Sequence, residues 1–398
     1  MKKTLIALAA LAATVGVAHA QSSVTLYGLL DVEIGSFKTN TAVGANVQNL
    51  TQTRINDGAS GGLQGSRWGM RIREDLGGGL AAVANLESGF AIDAGSSAQG
   101  GLLFGRRANV GLTGGFGTVT LGRQSSAYTD VAADHAMMAA TAFDPSNTNN
   151  AYSAFNNTTG AAAFPGNGLL FTQAGGVTTA ASNQIAAAFL GRNTTWIGYS
   201  ERINNSIKYV SPNFGGLTAA VLYGFGEDKT AAASASKTVS ASLKYANGPL
   251  VISGGYQNEG FARTAAVKPS LINTIISGSY DFGVAKVGLG FNRAKYEGVV
   301  GATGGDLASQ KEYSFSVAVP LGATTLSAGV AQSKGDDLGK STGYGIQALY
   351  SLSKRTTLYA GALSTKAYDK LAASTVAGYA GSSIGRTTTY AAGLRHTF

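Results

Sequence analysis

The chain has 398 residues, with 30 Lys and Arg against 21 Asp and Glu, a formal net charge of +9, and only 13% charged residues, about half the share of a soluble globular domain. Its 56 Gly and 17 Tyr stand beside 6 Pro and no Cys, which excludes a disulfide scaffold, a thiol nucleophile and a thiolate metal site. The basic residues are scattered rather than gathered into one patch, which argues against nucleic acid as the partner.

Taken in chain order, Met1-Lys2-Lys3, the apolar run 4–18 and Ala18-His19-Ala20 read as a secretory signal peptide over 1–20, leaving a mature chain from Gln21. No later apolar run reaches the roughly 20 residues of a helical membrane span. The first mature segment, 24–34, puts Val24, Leu26, Leu30, Val32 and Ile34 on one face and Thr25, Tyr27, Asp31 and Glu33 on the other. Such alternation suits a strand with lipid on one side and water on the other.

Further segments follow at 66–75, 80–90, 102–113, 117–124, 202–211, 217–226, 237–246, 250–259, 272–281, 285–297, 311–320, 324–333, 342–352, 356–366 and 386–398, sixteen in all with the first. Short turns such as Gly77-Gly78-Gly79, Gly114-Gly115 and Asn247-Gly248-Pro249 alternate with long polar connections at 36–65, 91–101, 125–201, 227–236, 260–271, 298–310, 334–341 and 367–385. Short turns on one rim and long loops on the other predict an all-β fold, a 16-stranded antiparallel transmembrane β-barrel. The last segment agrees: Tyr390, Ala392, Leu394 and His396 share one face, and the chain stops on Phe398. Tyr and Phe at strand ends, among them Tyr223, Phe225, Tyr280, Phe282, Tyr313 and Tyr350, fit two interfacial girdles.

Alternation also sorts the charges. Trp68, Met70 and Ile72 take the lipid face, so Arg67, Arg71 and Arg73 point into the lumen; an Arg on the lipid face at mid-bilayer would cost about 2 to 4 kcal/mol. The same parity sends Arg202, Lys208, Lys244, Lys286 and Arg395 inward, beside Asp31, Glu33 and Glu87. Arg106 and Arg107 are successive, and a regular strand turns only one of them inward; parity with Ala108, Val110 and Leu112 would make that one Arg107, a bulge or a strand buried against a neighbouring subunit would reverse this, and periodicity alone leaves it open.

The connection 125–201 exceeds by far the roughly 15 residues beyond which loops carry function or disorder. It mixes Phe143, Tyr152, Phe155, Phe164 and Phe171 with Asp130, Asp134 and Asp144. A loop of this length that folds into the barrel can narrow the channel and set carboxylates opposite wall arginines, with Asp130 the first choice because it lies soon after Arg123-Gln124, where the loop should bend inward.

The blocks SSVTLYGLLDV, GSRWGMRIREDLGGGLAAVANLESGF, LFGRRANVGLTGGFGTVTLGRQ, INNSIKYVSPNFGGLTAAVLYGF, SLSKRTTLYAGAL and AAGLRHTF together resemble the trimeric general porins of Gram-negative bacteria, of the β-proteobacterial type. The resemblance runs over 21–398. It implies a homotrimer in the outer membrane, in contact with lipid and lipopolysaccharide, each subunit passing small hydrophilic solutes and ions by diffusion. It further implies a ladder of basic wall residues at the constriction, falling by motif on Arg67, Arg106 and Arg202, and strands near the two termini at the subunit interface. The third loop is longer and richer in Ala, Thr and Asn than in the family. With basic residues outnumbering lumen acids, a mild anion preference is expected.

Other readings carry less. A hydrolase needs a positioned base, and the mature chain offers only His135, with no triad spacing to Asp134 or Ser125, and His396 in the closing strand. The stretch 335–341 imitates a phosphate-binding loop but lacks the strand-to-helix setting. Neither a metal nor a cofactor site is expected. An adhesin or structural role through the loops would add to a pore rather than replace it.

Overall fold

The computed structural model describes residues 22–43, 46–57, 63–139, 141–146, 195–261, 263–264, 268–298, 305–366, 368–370, 383–384 and 386–398. The expected signal peptide and the loop aromatics Tyr152, Phe155, Phe164 and Phe171 lie outside them.

Sixteen barrel strands run in chain order: β1 Ser23–Val43, β2 in two parts (Asn46–Asp57 and Arg67–Gly77), β3 Leu80–Ala91, β4 Arg107–Gly114, β5 Gly117–Ser125, β6 Arg202–Val210, β7 Leu217–Phe225 and β8 Lys237–Asn247. The second half is β9 Leu250–Gly260, β10 Ser270–Asp281, β11 Lys286–Glu297, β12 Gln310–Leu321, β13 Thr324–Gly335, β14 Gly339–Ser351, β15 Thr356–Lys366 and β16 Arg386–Thr397. Two-residue strands at Ser96–Ser97 and Ser383–Ile384 pair with the ends of β3 and β1. Each barrel strand pairs antiparallel with the next. β16 returns to β1 with Leu29 opposite Thr397 and Lys38 opposite Thr388, so the sheet closes and leaves no edge. Phe398 and Gly28 exchange both backbone hydrogen bonds at 3.1 Å, and the terminal ring occupies the space a Cβ on residue 28 would need.

The burial pattern is that of a membrane barrel. Val24, Leu26, Ile34, Val110, Leu121, Ile276, Leu289 and Ile346 are exposed on the outer face, while Asp31, Glu33, Glu87, Asn292 and Glu312 are buried within. The aromatic positions expected at the girdles, including Tyr223, Phe225, Tyr280, Phe282, Tyr313, Tyr350 and Tyr390, are likewise exposed outward. At the short-turn rim, Gly77, Gly78 and Gly79 all carry positive φ, a run that other residues take up only under strain.

Two differences from the sequence reading shape the lumen. The connection 36–65 is largely a hairpin: β1 continues to Val43 and pairs with Asn46–Asp57. Threonines and valines give that stretch strand propensity, and beyond the lipid its outer face has no need to be apolar. Between the two parts of β2 the ladder with β1 is interrupted, and Leu63 packs inside against Met138, Phe143, Tyr359 and Ala391. The second difference is that β4 begins at Arg107 rather than near 102, because 103–106 form a turn.

The described parts of the third long loop, 126–139, 141–146 and 195–201, fold into the lumen. Tyr128, Val131, Trp196 and Tyr199 form an apolar cluster with Ile275 of β10 and Ala331 of β13. The loop starts against β6 and β7 and then rests on β8 to β16, leaving the wall of β2 to β6 to carry the cations.

A candidate constriction in the lumen

Glu87 of β3 is the hub of the basic wall. Arg106 Nε donates to its Oε1 at 2.6 Å, Arg67 Nε lies 4.0 Å from its Oε2, and the Tyr27 hydroxyl donates to Oε2 at 2.7 Å. The Arg71 guanidinium stacks on the Tyr27 ring, 4.1 Å from its centroid. Arg67 also donates to Gln64 Oε1 at 3.2 Å. One carboxylate therefore fixes two guanidiniums directly and a third through an aromatic ring.

Alternation allowed only one of Arg106 and Arg107 inward, yet both join this wall. Arg107 stands opposite Glu87 in register and so shares its face. Arg106 precedes the strand, with its backbone N–H donating to the Glu87 carbonyl at 3.1 Å, and its side chain turns back to the same carboxylate. Arg202, the first residue of β6, donates to Glu201 at 2.8 Å and lies within electrostatic reach of Arg106, Arg107 and Glu87.

Arg123 was missed as a wall residue. Regular alternation from the exposed Leu121 would turn it to lipid, but the register shifts between Gly122 and Gln124, with Gly122 at φ +123. The bulge carries Arg123 inside, where Nε donates to the Gly105 carbonyl at 2.7 Å and a second nitrogen to Asn204 Oδ1. A glycine inside a strand directly before an arginine was the available signal. With Lys208, seven cations (Arg67, Arg71, Arg106, Arg107, Arg123, Arg202 and Lys208) meet three carboxylates, Glu87, Glu201 and Asp130, along β2 to β6 and the start of the loop.

The loop acids find lysines. Asp130 Oδ2 lies 2.6 Å from Lys208 Nζ and Asp134 Oδ1 lies 2.7 Å from Lys244 Nζ. Asp144 does not face the basic wall. It is buried and accepts from the Ser146 backbone N–H at 2.9 Å and hydroxyl at 2.8 Å, closing its own turn, because the loop has by then crossed to the far wall. Arg73 also stands apart: it pairs with Ser23 and Val83 near the short-turn rim, four residues below the Gly-rich turn and away from Glu87.

Wall groups hold the loop in place. Glu312 Oε1 accepts from the Ile197 backbone N–H at 2.6 Å, and Glu259 accepts from the Ser200 backbone N–H at 2.8 Å and hydroxyl at 2.5 Å. Tyr128 N–H donates to Ser240 Oγ at 2.8 Å and its hydroxyl to Asn292 Oδ1 at 3.0 Å. Gly288, Gly290 and Gly345 leave the wall open where His135 and Phe143 press on it.

His135 belongs to this packing. Its ring stacks on Trp196 at 4.9 Å, and Nε2 sits 3.2 Å from Ser146 Oγ. Ser146 donates to Asp144, so the carboxylate contacts the hydroxyl while His135 Nδ1 has no hydrogen-bond partner among the described residues. That is not the order of a catalytic triad, in which the carboxylate orients the imidazole. Burial lowers the His135 pKa to about 4 and raises that of Asp144 to about 6.

Comparison with known proteins bears on the whole chain. A family model described as Gram-negative porin matches residues 7–370. The chain is 31% identical to an outer membrane porin protein of Bordetella pertussis, over 90% of this chain and 93% of that one. It is 32% identical to outer membrane porin protein 32 of Delftia acidovorans, over 90% and 88%. Among solved structures it is similar to an anion-selective porin from Comamonas acidovorans, with TM-score 0.67 and 26% identity, covering 95% of this chain and 100% of that one.

Proposed function

The chain belongs to the Gram-negative porin family and forms a channel across the outer membrane, and from that premise we propose a mildly anion-selective, general-diffusion pore whose narrows lie beside the Glu87 hub. The observation that carries this reading is the gathering of Arg67, Arg106, Arg107, Arg123 and Arg202 on one wall, with the loop packed on the other. A cation-rich wall beside a water-filled path raises the local concentration of anions and lowers that of cations.

On this reading Arg67, Arg106 and Arg202 define the basic side of the constriction, Arg71 and Arg107 extend it, and Asp130 and Asp134, neutralised by Lys208 and Lys244, mark the loop side. The resemblance supports a homotrimer joined through strands near the termini, and the Lys-apolar-Ala pattern of 1–20 supports its removal as a signal peptide. Lipopolysaccharide surrounds the barrel in the outer leaflet. Passage of solutes requires no catalysis, and the buried ring of His135 fits a packing role.

Reversal potentials in planar bilayers under a potassium chloride gradient test this, comparing wild type with Arg67→Ala and Arg202→Ala. Anion preference should fall in both variants. Selectivity that ignores both substitutions would refute this placement of the narrows.

A further inference from the structure

Arg67 is not held by the carboxylate that holds its neighbour. Glu87 accepts from Arg106 at 2.6 Å but lies 4.0 Å from Arg67 Nε. The two hydrogen bonds that the Arg67 guanidinium makes among the described residues go elsewhere, to Gln64 Oε1 at 3.2 Å and to the Gly65 carbonyl at 3.4 Å. Both acceptors belong to residues 63–66, between the two parts of β2, where Leu63 packs inside the barrel. The direction of this guanidinium is therefore set by whatever keeps 63–66 in place.

Asp31 of β1 is the anchor. Its Oδ2 accepts from the Gln64 backbone N–H at 2.7 Å, and its own backbone N–H donates to Ser66 Oγ at 3.0 Å. Its Oδ1 accepts from the Tyr359 hydroxyl at 2.6 Å, although Tyr359 stands two strands away on β15. The path lies over β16: Tyr359 is opposite Gly393 in register, and Gly393 is opposite Glu33. A Cβ on residue 393 would collide with the Tyr359 hydroxyl, so the glycine lets the ring cross the strand and reach β1. Asp31 is fully buried, which keeps its carboxylate out of the ion path and leaves these bonds as its work.

The ring of Tyr359 serves a second contact. It shares one apolar cluster with Leu63 and Phe143 and meets the Phe143 ring edge-on at 6.3 Å. Gly361, on the same strand, leaves the room that Phe143 fills. One tyrosine thus straps together β15, β1, residues 63–66 and the third long loop, across the seam where the barrel closes.

We propose that Tyr359 and Asp31 are positioning residues for the constriction, holding the Arg67 guanidinium toward the ion path through residues 63–66. The inference rests on the reading of Arg67 as part of the basic side of the narrows. A guanidinium released from Gln64 and Gly65 is free to swing on its stem. Moving it from about 7 to about 12 Å from the path lowers the preference for chloride over potassium about two-fold at 0.1 M salt.

Two readouts on the full chain test this. The first is position: the chain has no Cys, so Leu63→Cys supplies a single thiol at a buried site. Its modification by a water-soluble methanethiosulfonate should accelerate about ten-fold or more when Tyr359→Phe is added. The second is selectivity, read from reversal potentials. Tyr359→Phe and Gln64→Ala change no charge, yet each should lower the chloride preference about two-fold, and neither should alter it further when Arg67→Ala is already present. Equal thiol rates with and without the Tyr359 hydroxyl overturn the strap. A Gln64→Ala channel with wild-type selectivity, or one whose selectivity shifts equally with and without Arg67, overturns the link to Arg67 even if Tyr359→Phe fails to fold. Failure of the narrows shows separately: Arg67→Ala alone then leaves selectivity unchanged, and the thiol rates still decide whether Tyr359 holds 63–66.

Discussion

Replacing Glu87 with Gln should increase the preference of the pore for chloride over potassium, although the substitution adds no cation. Glu87 neutralises Arg106 at 2.6 Å and bears on Arg67 at 4.0 Å, so its removal uncovers one unit of positive charge on the wall. An ion passing about 7 Å away in water feels this as roughly 0.6 kcal/mol. Screening over a Debye length of about 10 Å at 0.1 M salt halves it to ~0.3 kcal/mol. The change favours one ion and disfavours the other, so the permeability ratio should rise about three-fold at 0.1 M, and about five-fold at 0.01 M, where the Debye length is ~30 Å. Reversal potentials across a salt gradient read this ratio directly. Glu87→Asp retains the charge and serves as the control. A ratio that falls, or that rises equally at both salt concentrations, would refute the argument, since it would mean that the arginines depend on Glu87 for their position more than they are masked by its charge.

The loop offers two further tests. Gly288→Ala places a methyl group inside contact with the His135 carbonyl, an overpacking that typically costs about 1 to 3 kcal/mol; the loop should lift and single-channel conductance rise, while Gly254→Ala, where the nearest atom is the Ile275 carbonyl oxygen at 3.7 Å, leaves conductance unchanged. Acid acts in opposite directions on two buried groups of the loop, His135 and Asp144. His135 has a docked-state pKa of about 4, below its ordinary value of 6.5, so the undocked loop binds the proton more readily and docking weakens by about 3 kcal/mol as pH falls from 6.5 to 4. Asp144 has a docked-state pKa of about 6, above its ordinary 3.8, and strengthens docking by about 3 kcal/mol as pH falls from 6 to 3.8. In Asp144→Asn the Asp144 contribution no longer offsets that of His135, and open-channel noise should increase more below pH 6 than in wild type; equal noise in the two proteins would show that His135 does not govern docking.

Much of this molecule was legible in its sequence because a lipid face and a water face impose a period of two, which a side chain cannot evade without a cost of several kcal/mol. Sixteen strands, their faces, the exposed aromatic ends and the inward course of Arg67, Arg202, Lys208 and Lys244 all follow from that rule. It fails where its premises stop. Arg106 lies before its strand begins, and Arg123 follows a bulge at Gly122, so neither position is set by alternation. Beyond the lipid, the hairpin of 36–57 lost its apolar face and read as loop. The partners of the loop acids are settled by contacts across more than seventy residues of chain: Asp130 to Lys208, Asp134 to Lys244. Asp144 shows the converse, a carboxylate that the course of the loop carries to the far wall, where it bonds a serine two residues away. The sequence by itself determined which side of the wall each residue of a regular strand faces, because the bilayer acts on every residue separately; only the tertiary structure decided which charges meet, because that depends on where a strand bulges and where a long loop comes to rest.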